Sequence, residues 1–192
     1  MRRDECFRKI AEQRNGAIVV ATYTSVFEWM AIDDDPLNFV SVGAMGQASS
    51  HALGLAIGLP NQKVIVLDGD GSLLMNLGSL VTIANAAPKN LVHFVVENGT
   101  YEANGGHPIP GQGKVDFAGF ARDAGYAHAE TYDGLNRFAA DLPDLLGREG
   151  PVFGCLKVEP GPPPKYDYDL IHSEAMRERF RAAVRPLLDK GD

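Results

Sequence analysis

The segments KVIVLDGDGS at residues 63–72 and LVHFVVENGTY at residues 91–101 decide the fold of this chain. Each begins with a short apolar run rich in Val and ends in polar residues, as strands buried on both faces of a parallel sheet do. Residues 73–87 between them have the length and the Leu, Ile and Ala content of a crossover helix. The pattern predicts a β-α-β unit in which Asp70 and Asn98 each follow the carboxyl end of a strand, where ligands bind in open α/β sheets.

The residue types at these strand ends indicate a particular chemistry. Gly69 and Gly71 allow a sharp turn and a close approach of the backbone to a ligand. Asp70 offers a carboxylate oxygen and Asn98 an amide oxygen, and both suit Mg²⁺, which shares its ligand shell with phosphates and water. Ser72 opens the following helix, and a helix N-terminus favours an anion. Gly-Asp-Gly by itself also fits any tight turn, so the interpretation as a magnesium diphosphate site depends on the whole pattern.

The composition bounds the class of protein. The chain has 192 residues, of which 45% are hydrophobic and 22% charged, which is enough for one sizeable core in an ordinary globular domain. The formal net charge of −7 argues against a nucleic-acid partner, because phosphate backbones require clustered Lys and Arg. No apolar run approaches the roughly 20 residues of a membrane span, and no apolar signal core follows Met1. Cys6 and Cys155 are far apart without metal-type spacing, so we expect two reduced thiols in a cytoplasmic protein.

The rest of the chain continues the alternation of strands and helices, which predicts a three-layer α/β/α fold with a mostly parallel central sheet. The predicted helices lie at 4–13, around 27–30, at 48–58, 116–124, 135–146 and 173–188, and the predicted further strands at 17–21, 38–42, 126–131 and 151–158. Asp116 is the expected N-cap of its helix, with Phe117 and Phe120 pointing inward. The Gly-Pro-Pro-Pro run at 161–164 indicates a stiff linker. We therefore divide the chain into a cofactor-binding domain at 1–160 and a linker with a tail helix at 161–192.

The complete pattern resembles the signature of enzymes that use thiamine diphosphate (ThDP): Gly-Asp-Gly, then just under thirty residues, then Asn at a strand end. The offset from Asp70 to Asn98 is 98 − 70 = 28 residues. The resemblance implies that Asp70, Asn98 and the backbone carbonyl of Thr100 hold Mg²⁺, and that the cofactor lies against these residues, the Gly-Asp-Gly-Ser segment and Tyr101.

A second segment, Gly-Ala-Met-Gly at residues 43–46, also resembles this family. By resemblance the carbonyl of Gly43 accepts a hydrogen bond from the aminopyrimidine ring, and Met45 supports the bent form of the cofactor. Taken alone, Met45 reads equally well as core filler. The helix predicted at 48–58 is rich in Gly, Ala and Ser, which allow close packing against a sheet or another subunit.

Within this class the chain most resembles the β subunits of sulfopyruvate decarboxylases and the equivalent half of phosphonopyruvate decarboxylases. The resemblance implies a subunit of a heteromeric 2-oxoacid decarboxylase. In such enzymes a separate pyrimidine-binding (PYR) domain supplies the Glu that activates the cofactor. The residues predicted here form one domain, so we expect a PYR-domain partner subunit, a hetero-oligomer, and no activity of this chain alone. Glu28 is the one early acidic residue considered as a substitute, and a surface helix is the better interpretation of it.

The Gly- and Pro-rich stretch at residues 102–113 is predicted to be a loop that covers the site or contacts substrate. His107 within it is a weak catalytic candidate, because a lone loop His is more often solvated or structural. With residues 48–58, this loop is the expected surface for the partner. Two other readings stay open: a non-catalytic binding or regulatory module of the same fold, and a Mg²⁺-dependent phosphate-handling enzyme without thiamine. The sequence has no Gly-x-x-x-x-Gly-Lys-Ser/Thr loop, which argues against the interpretation as a nucleotide hydrolase.

Overall fold

Strands and helices alternate along the chain, and the structure, a computed structural model, describes them for residues 1–40, 42–162 and 164–188. A one-turn 3₁₀ helix, Glu102–Asn104, accompanies the main elements. In chain order these are α1 (Arg3–Gln13), β1 (Ile18–Ala21), α2 (Thr24–Ile32), β2 (Asn38–Phe39), α3 (Ala48–Gly58), β3 (Val64–Gly69), α4 (Asp70–Met75), α5 (Ser79–Ala86), β4 (Leu91–Glu97), β5 (Thr100–Tyr101), β6 (His107–Pro108), α6 (Phe117–Ala124), β7 (His128–Tyr132), α7 (Leu135–Gly147), β8 (Val152–Lys157), α8 (Tyr168–Ile171) and α9 (Glu174–Leu188).

In the described ranges a six-stranded sheet runs in the order β2-β1-β3-β4-β8-β7, and each neighbouring pair in it is parallel. Helices cover both faces, which confirms the predicted α/β fold with a mostly parallel central sheet. β5 and β6 form a separate antiparallel hairpin beside it. The central strands β3 and β4 are almost completely buried because both faces are covered, which explains their continuous apolar runs.

The strand order creates a crevice between β1 and β3. The chain leaves β1 into α2, which packs in one apolar cluster, and it leaves β3 into α4 and α5, whose apolar side chains belong to the other cluster. Adjacent parallel strands whose connections depart to opposite faces mark the position at which open α/β sheets bind ligands. The carboxyl ends of β1 and β3 therefore flank the position where a ligand is expected.

The two faces of the sheet carry separate cores. On one face α1, α2 and α7 pack around fully buried aromatic rings, and Phe7 meets Trp29 edge-on with the ring centroids 5.9 Å apart. On the other face α3, α5 and α6 cover the sheet, with the small residues Ala48, Ala52 and Ala56 of α3 turned inward. The small side chains on this face of α3 thus serve close packing against the sheet, one of the two alternatives that the sequence left open.

The tail helix α9 packs against the edge strand β2. Phe180 contacts the ring of Phe39 with the centroids 5.1 Å apart, and Met176 and Val184 are also buried. Covering an edge strand protects its unpaired backbone groups. The division of the chain at residues 1–160 and 161–192 remains a prediction, and Pro163 and residues 189–192 of the predicted tail segment lie outside the described residues.

Several local predictions were wrong in extent. The crossover predicted as one helix at 73–87 is two helices, α4 and α5, separated at Asn76 and Gly78, which are both poor helix formers. The strand predicted at 38–42 pairs only at Asn38–Phe39, and Ser41 within it lies outside the described residues. The predicted loop at 102–113 contains the 3₁₀ turn and the strand β6.

For the helix α6 the predicted N-cap residue is confirmed, and the predicted inward direction of one of the two Phe side chains is wrong. Asp116 caps the helix as expected, with its Oδ1 accepting a hydrogen bond from the Gly119 amide at 2.8 Å. Phe117 is buried, whereas Phe120 is 40% exposed. The inward face of α6 also carries Ala118 and Ala121, which turns Phe120 toward the rim.

Both cysteines are free and buried, in agreement with the expected reduced thiols. Burial raises the pKa of the Cys6 thiol to about 12. Among the described residues no helix combines the length and the apolar character that crossing a membrane requires.

Candidate functional site

Asp70 stands at the start of α4, directly after β3, and is only 2% exposed. Its Oδ1 accepts a hydrogen bond from the amide of Gly71 and its Oδ2 one from the amide of Gly99, both at 2.7 Å. The second bond joins the carboxyl end of β3 to the turn that follows β4. The two bonds fix the orientation of the carboxylate and leave lone pairs on both oxygens, since an ionised carboxylate has about four acceptor sites.

The surroundings of Asp70 change its acidity. Burial raises the pKa of its carboxyl to about 6, although hydrogen bonds from the amides of Gly99 and Gly71 act in the opposite direction. The charge of Glu97 raises the pKa further. A buried carboxylate with a raised pKa lacks a compensating positive charge, and a cation bound beside it would hold it ionised.

Asn98 and Thr100 form the second part of the site, after β4. The amide oxygen of Asn98 accepts hydrogen bonds from the backbone N–H of Thr100 at 2.7 Å and from its hydroxyl at 3.2 Å. Asn and Asp side chains often bond their own backbone two residues further on in this way. The arrangement fixes the Asn98 oxygen close to the backbone of Thr100.

These residues share one cavity at the carboxyl edge of the sheet. Of the residues predicted for the site, those that line it are Met45, Gly69, Asp70, Gly71, Ser72, Asn98, Thr100 and Tyr101. Gly43 borders a neighbouring cavity instead. His107 is exposed on β6 and does not belong to the lining of the Asp70 cavity, so its geometry adds nothing to its candidacy as a catalytic residue.

Gly46 connects the two predicted motifs. Its amide donates to the hydroxyl oxygen of Ser72 at 2.9 Å, and its carbonyl accepts from the side-chain amide of Asn76, also at 2.9 Å. Gly46 has φ +80°, a conformation that side chains rarely adopt. Because the Ser72 oxygen acts as the acceptor, the hydroxyl proton of Ser72 remains available for an anion.

The start of α2 also borders the cavity, and sequence reasoning missed it. Thr22, Tyr23, Thr24 and Ser25 all line it, directly after β1. The buried Thr22 hydroxyl has no hydrogen-bond partner in the part of the chain that the structure describes. Tyr23 has φ +49°, which is uncommon for a non-glycine residue and is found mainly where structure constrains the backbone. The sequence signal that could have identified this wall of the cavity is the run of hydroxyl residues directly after the buried strand β1.

Arg3 is the second residue that sequence reasoning missed. It is 7% exposed, lines the cavity from α1, and donates hydrogen bonds to the carboxylates of Glu28 and Glu102. The bond from its Nη1 to Glu102 Oε2 measures 2.6 Å. Glu28 is thus held by an ion pair and is not part of the lining of this cavity. Nothing in the local sequence predicts the burial of Arg3.

Gly71→Ala should destabilise the site, because the added Cβ would clash with the ring of Tyr101. We expect the free energy of unfolding to fall by about 1–3 kcal/mol, as for other overpacked positions. Gly78→Ala is the control, since nothing lies within 4 Å of its Cβ position and its φ is −61°. Urea unfolding of both variants checks this, and equal stabilities would show that the contact between Gly71 and Tyr101 imposes no constraint.

The comparison with protein-family models gives one match. Residues 20–153 match the family described as thiamine pyrophosphate enzyme, C-terminal TPP binding domain. The matched range includes the strands β3 and β4, the last two residues of β1 and every residue predicted for the site.

Curated relatives agree with this match. The chain is 40% identical over 162 residues to the sulfopyruvate decarboxylase subunit beta of Methanothermobacter thermautotrophicus, covering 82% of this chain and 81% of that protein. It is 36% identical over 178 residues to the phosphonopyruvate decarboxylase of Streptomyces viridochromogenes, covering 92% of this chain. That alignment covers 44% of the relative, so the chain spans less than half the length of the phosphonopyruvate decarboxylase it matches.

Among solved structures, the chain resembles a benzoylformate decarboxylase from Polynucleobacter necessarius with a TM-score of 0.68 and 19% sequence identity. The match covers 83% of this chain and 33% of that one. At this level of sequence identity the similarity shows a shared fold and nothing about function.

Proposed function

The chain belongs to the thiamine pyrophosphate enzymes, with their C-terminal TPP-binding domain at residues 20–153, and from this premise we propose that it is the ThDP- and Mg²⁺-binding subunit of a 2-oxoacid decarboxylase. In this proposal the chain anchors the diphosphate of the cofactor and forms part of the wall around its rings. A partner subunit with a PYR domain completes the active site.

The observation that carries this proposal is the geometry of Asp70. The carboxylate is almost completely buried, it is oriented by the amides of Gly71 and Gly99, and it borders a cavity shared with Asn98 and Thr100. A buried carboxylate without a counter-charge is costly unless a cation or a proton compensates it. A metal ion between this carboxylate and a diphosphate satisfies both negative groups.

The donors that the chain offers fit Mg²⁺. They are oxygens from a carboxylate, a side-chain amide and a backbone carbonyl, and hard cations prefer such ligands. Within residues 1–40, 42–162 and 164–188 no group of three or more His, Cys, Asp or Glu side chains could hold a metal ion. A binding set with one carboxylate therefore relies on phosphate oxygens and water for the rest of the coordination shell, as Mg²⁺ sites commonly do.

Each residue then has a distinct role. Asp70, the Thr100 carbonyl and Asn98, whose oxygen would give up the hydrogen bond from the Thr100 hydroxyl for the metal, would hold Mg²⁺, and the Ser72 hydroxyl and the backbone of Gly69 and Gly71 would bind the diphosphate. The residues at the start of α2, above all the unpartnered Thr22 hydroxyl, offer further donors on the opposite wall. Tyr101 packs against Gly71 and closes this end of the cavity.

The pyrimidine end of the cofactor is assigned to Gly43 and Met45. The Gly43 carbonyl would accept a hydrogen bond from the aminopyrimidine, and Met45, which is half-buried and lines the Asp70 cavity, would support the rings. When bound, ThDP supplies the electron sink for decarboxylation, and the protein contributes binding, orientation and exclusion of water. His107 has no role in this scheme.

The substrate class follows from the relatives, one named for sulfopyruvate and the other for phosphonopyruvate. We propose a small 2-oxoacid with a second anionic group. The partner would dock on α3 and the segment at 102–113. The outward side of α3 supports this assignment, since Ile57 there is 61% exposed.

Metal removal tests the proposed function. ThDP titrated into the chain by calorimetry should bind in the presence of Mg²⁺, and EDTA should remove the binding, because the diphosphate and the Asp70 carboxylate repel each other without a cation between them. Thiamine without its diphosphate is the control and should bind far more weakly under both conditions. Equal affinity for ThDP with Mg²⁺ and with EDTA would contradict the proposed site.

Met45→Ala should impair turnover more than affinity. Met45 supports the cofactor rings, whereas the diphosphate anchor lies at Asp70 and Asn98, so we expect a loss in kcat of about tenfold or more from misplaced rings. The dissociation constant for ThDP with Mg²⁺ should change little. Met30→Ala, at a partly buried position of α2 that packs against the core and does not line the Asp70 cavity, is the control for a general packing loss. If Met45→Ala in the assembled enzyme turns over substrate as fast as the parent, Met45 serves only packing and does not support the cofactor rings.

A further inference from the structure

Arg3 is a buried cation that joins distant segments of the chain. Its guanidinium donates to the carboxylate of Glu28 in α2 and, at 2.6 Å, to Oε2 of Glu102, which follows β5. The other oxygen of Glu102 accepts a hydrogen bond from the amide of Gly161 at 3.3 Å. The helices α1 and α2, the turn after β5 and the Pro-rich run are thus connected through one group of charged side chains.

The ion pair of Arg3 with Glu102 lies in the wall of the proposed metal site. Both residues line the cavity of Asp70, and each also borders a groove outside that cavity. The side chain of Arg3 is 7% exposed and that of Glu102 14%. Removing one partner of a pair buried to this degree leaves an uncompensated charge, which is costly. The pair therefore fixes this part of the wall.

Thr100 lies between two attachments to the body of the domain. Before it, the Gly99 amide donates to Oδ2 of Asp70 at 2.7 Å. After it, Glu102 accepts from Arg3, and residues 104–108 further along are all exposed. Because φ and ψ are the only soft dihedrals of the backbone, fixing the chain on both sides of Thr100 limits the directions that its carbonyl can take.

We propose that Arg3 is a positioning residue of the metal site, which acts through Glu102 on the Thr100 carbonyl that would hold Mg²⁺. This inference rests on the proposed function and adds to the site a residue that lies 99 positions before Glu102 in the sequence. Arg3 itself contacts neither the metal nor the diphosphate in this proposal. Glu28 holds the other side of the guanidinium and has no part in directing the carbonyl.

The test measures how ThDP binding to the full chain depends on Mg²⁺. ThDP is titrated by calorimetry at a series of Mg²⁺ concentrations, and the concentration that gives half-maximal binding is compared among variants. Arg3→Met and Glu102→Ala should each raise it about tenfold, the lower end of the range for residues that orient a metal ligand. The two substitutions change the local charge in opposite directions, so a purely electrostatic effect would shift the two values in opposite directions.

Glu28→Ala and Arg14→Met are the matched controls. Glu28→Ala removes the other carboxylate from Arg3 and leaves Glu102 paired. Arg14 is also buried and is ion-paired to Asp33 at 2.8 Å, but it does not line the cavity of Asp70. Both controls should lower the melting temperature, because each leaves a charged group without its partner. Both should keep the parent's dependence on Mg²⁺.

Hydrogen exchange gives a readout that needs no cofactor. The Gly106 amide donates to the Tyr101 carbonyl at 2.9 Å, in the segment that Glu102 attaches. Its exchange should be faster in Arg3→Met and Glu102→Ala than in the parent, and unchanged in the two controls, because local exchange reports local opening.

The outcomes separate this inference from the proposed function. The inference alone is overturned if Arg3→Met keeps the parent's dependence on Mg²⁺, if Arg3→Met and Glu102→Ala shift it in opposite directions, or if the controls shift it equally. Unchanged exchange of the Gly106 amide in both test variants overturns it as well. A parent chain whose ThDP binding does not depend on Mg²⁺ overturns the proposed function and the inference with it.

Discussion

Asp70→Ala should abolish Mg²⁺-dependent binding of ThDP while the chain stays folded. The variant loses the one carboxylate that the site offers to the metal, and the remaining neutral oxygens of Asn98 and Thr100 attract a divalent cation only weakly. It also leaves the amides of Gly71 and Gly99 without their acceptor, so we expect unfolding to become easier by about 1–3 kcal/mol. Calorimetry with ThDP and Mg²⁺ measures the first effect and urea unfolding the second.

Asp116→Ala is the matched control for this variant. Asp116 also stands at the start of a helix and also accepts a backbone N–H through its carboxylate, but it lies outside the cavity. Its loss should cost about 1 kcal/mol of stability, typical of an N-cap, and leave ThDP binding intact. If Asp70→Ala binds the cofactor like the parent while Asp116→Ala behaves as expected, the metal site is misplaced.

The second large effect concerns the chain on its own, which should show no measurable decarboxylase activity. Among the described residues that line the Asp70 cavity, the acidic ones are Asp70 and Glu102. Asp70 is assigned to the metal, and Glu102 is paired with Arg3 at 2.6 Å. Neither is available to hydrogen-bond the aminopyrimidine and activate the cofactor. Loss of such a proton-transfer group typically costs 10²–10⁴-fold in rate, as an order-of-magnitude estimate.

The assay compares the purified chain with the chain plus a PYR-domain subunit. Both receive ThDP, Mg²⁺ and a panel of 2-oxoacids that includes sulfopyruvate and phosphonopyruvate, and only the mixture should release CO₂. Robust turnover of the single chain would contradict the two-subunit proposal. Glu28→Gln and Glu102→Gln would then show which carboxylate had left its pair with Arg3 to activate the cofactor.

Local signals were sufficient for the centre of the fold. The buried strands β3 and β4 carry unbroken apolar runs because helices cover both of their faces, and the residues predicted for the site after these strands line one cavity. The break at Asn76 and the exposed ring of Phe120 were not predicted, because composition sets the presence of a helix more firmly than its ends or its rotation.

The missed parts of the site depend on long-range order. Thr22 borders the Asp70 cavity only because β1 pairs with β3, and no local pattern encodes that strand order. Arg3 reaches the cavity through the packing of α1 on α2.

The hydrogen bonds of Gly46 to Ser72 and Asn76 have an evolutionary consequence. They join segments 26 and 30 residues apart, so a substitution in one changes what the other tolerates. A lineage that exchanges the hydroxyl at position 72 for a methyl group leaves the Gly46 amide unsatisfied, and the turn at 43–46 must then remodel or find a new acceptor. We therefore expect positions 46, 72 and 76 to covary among relatives, as one inherited unit spread over two motifs.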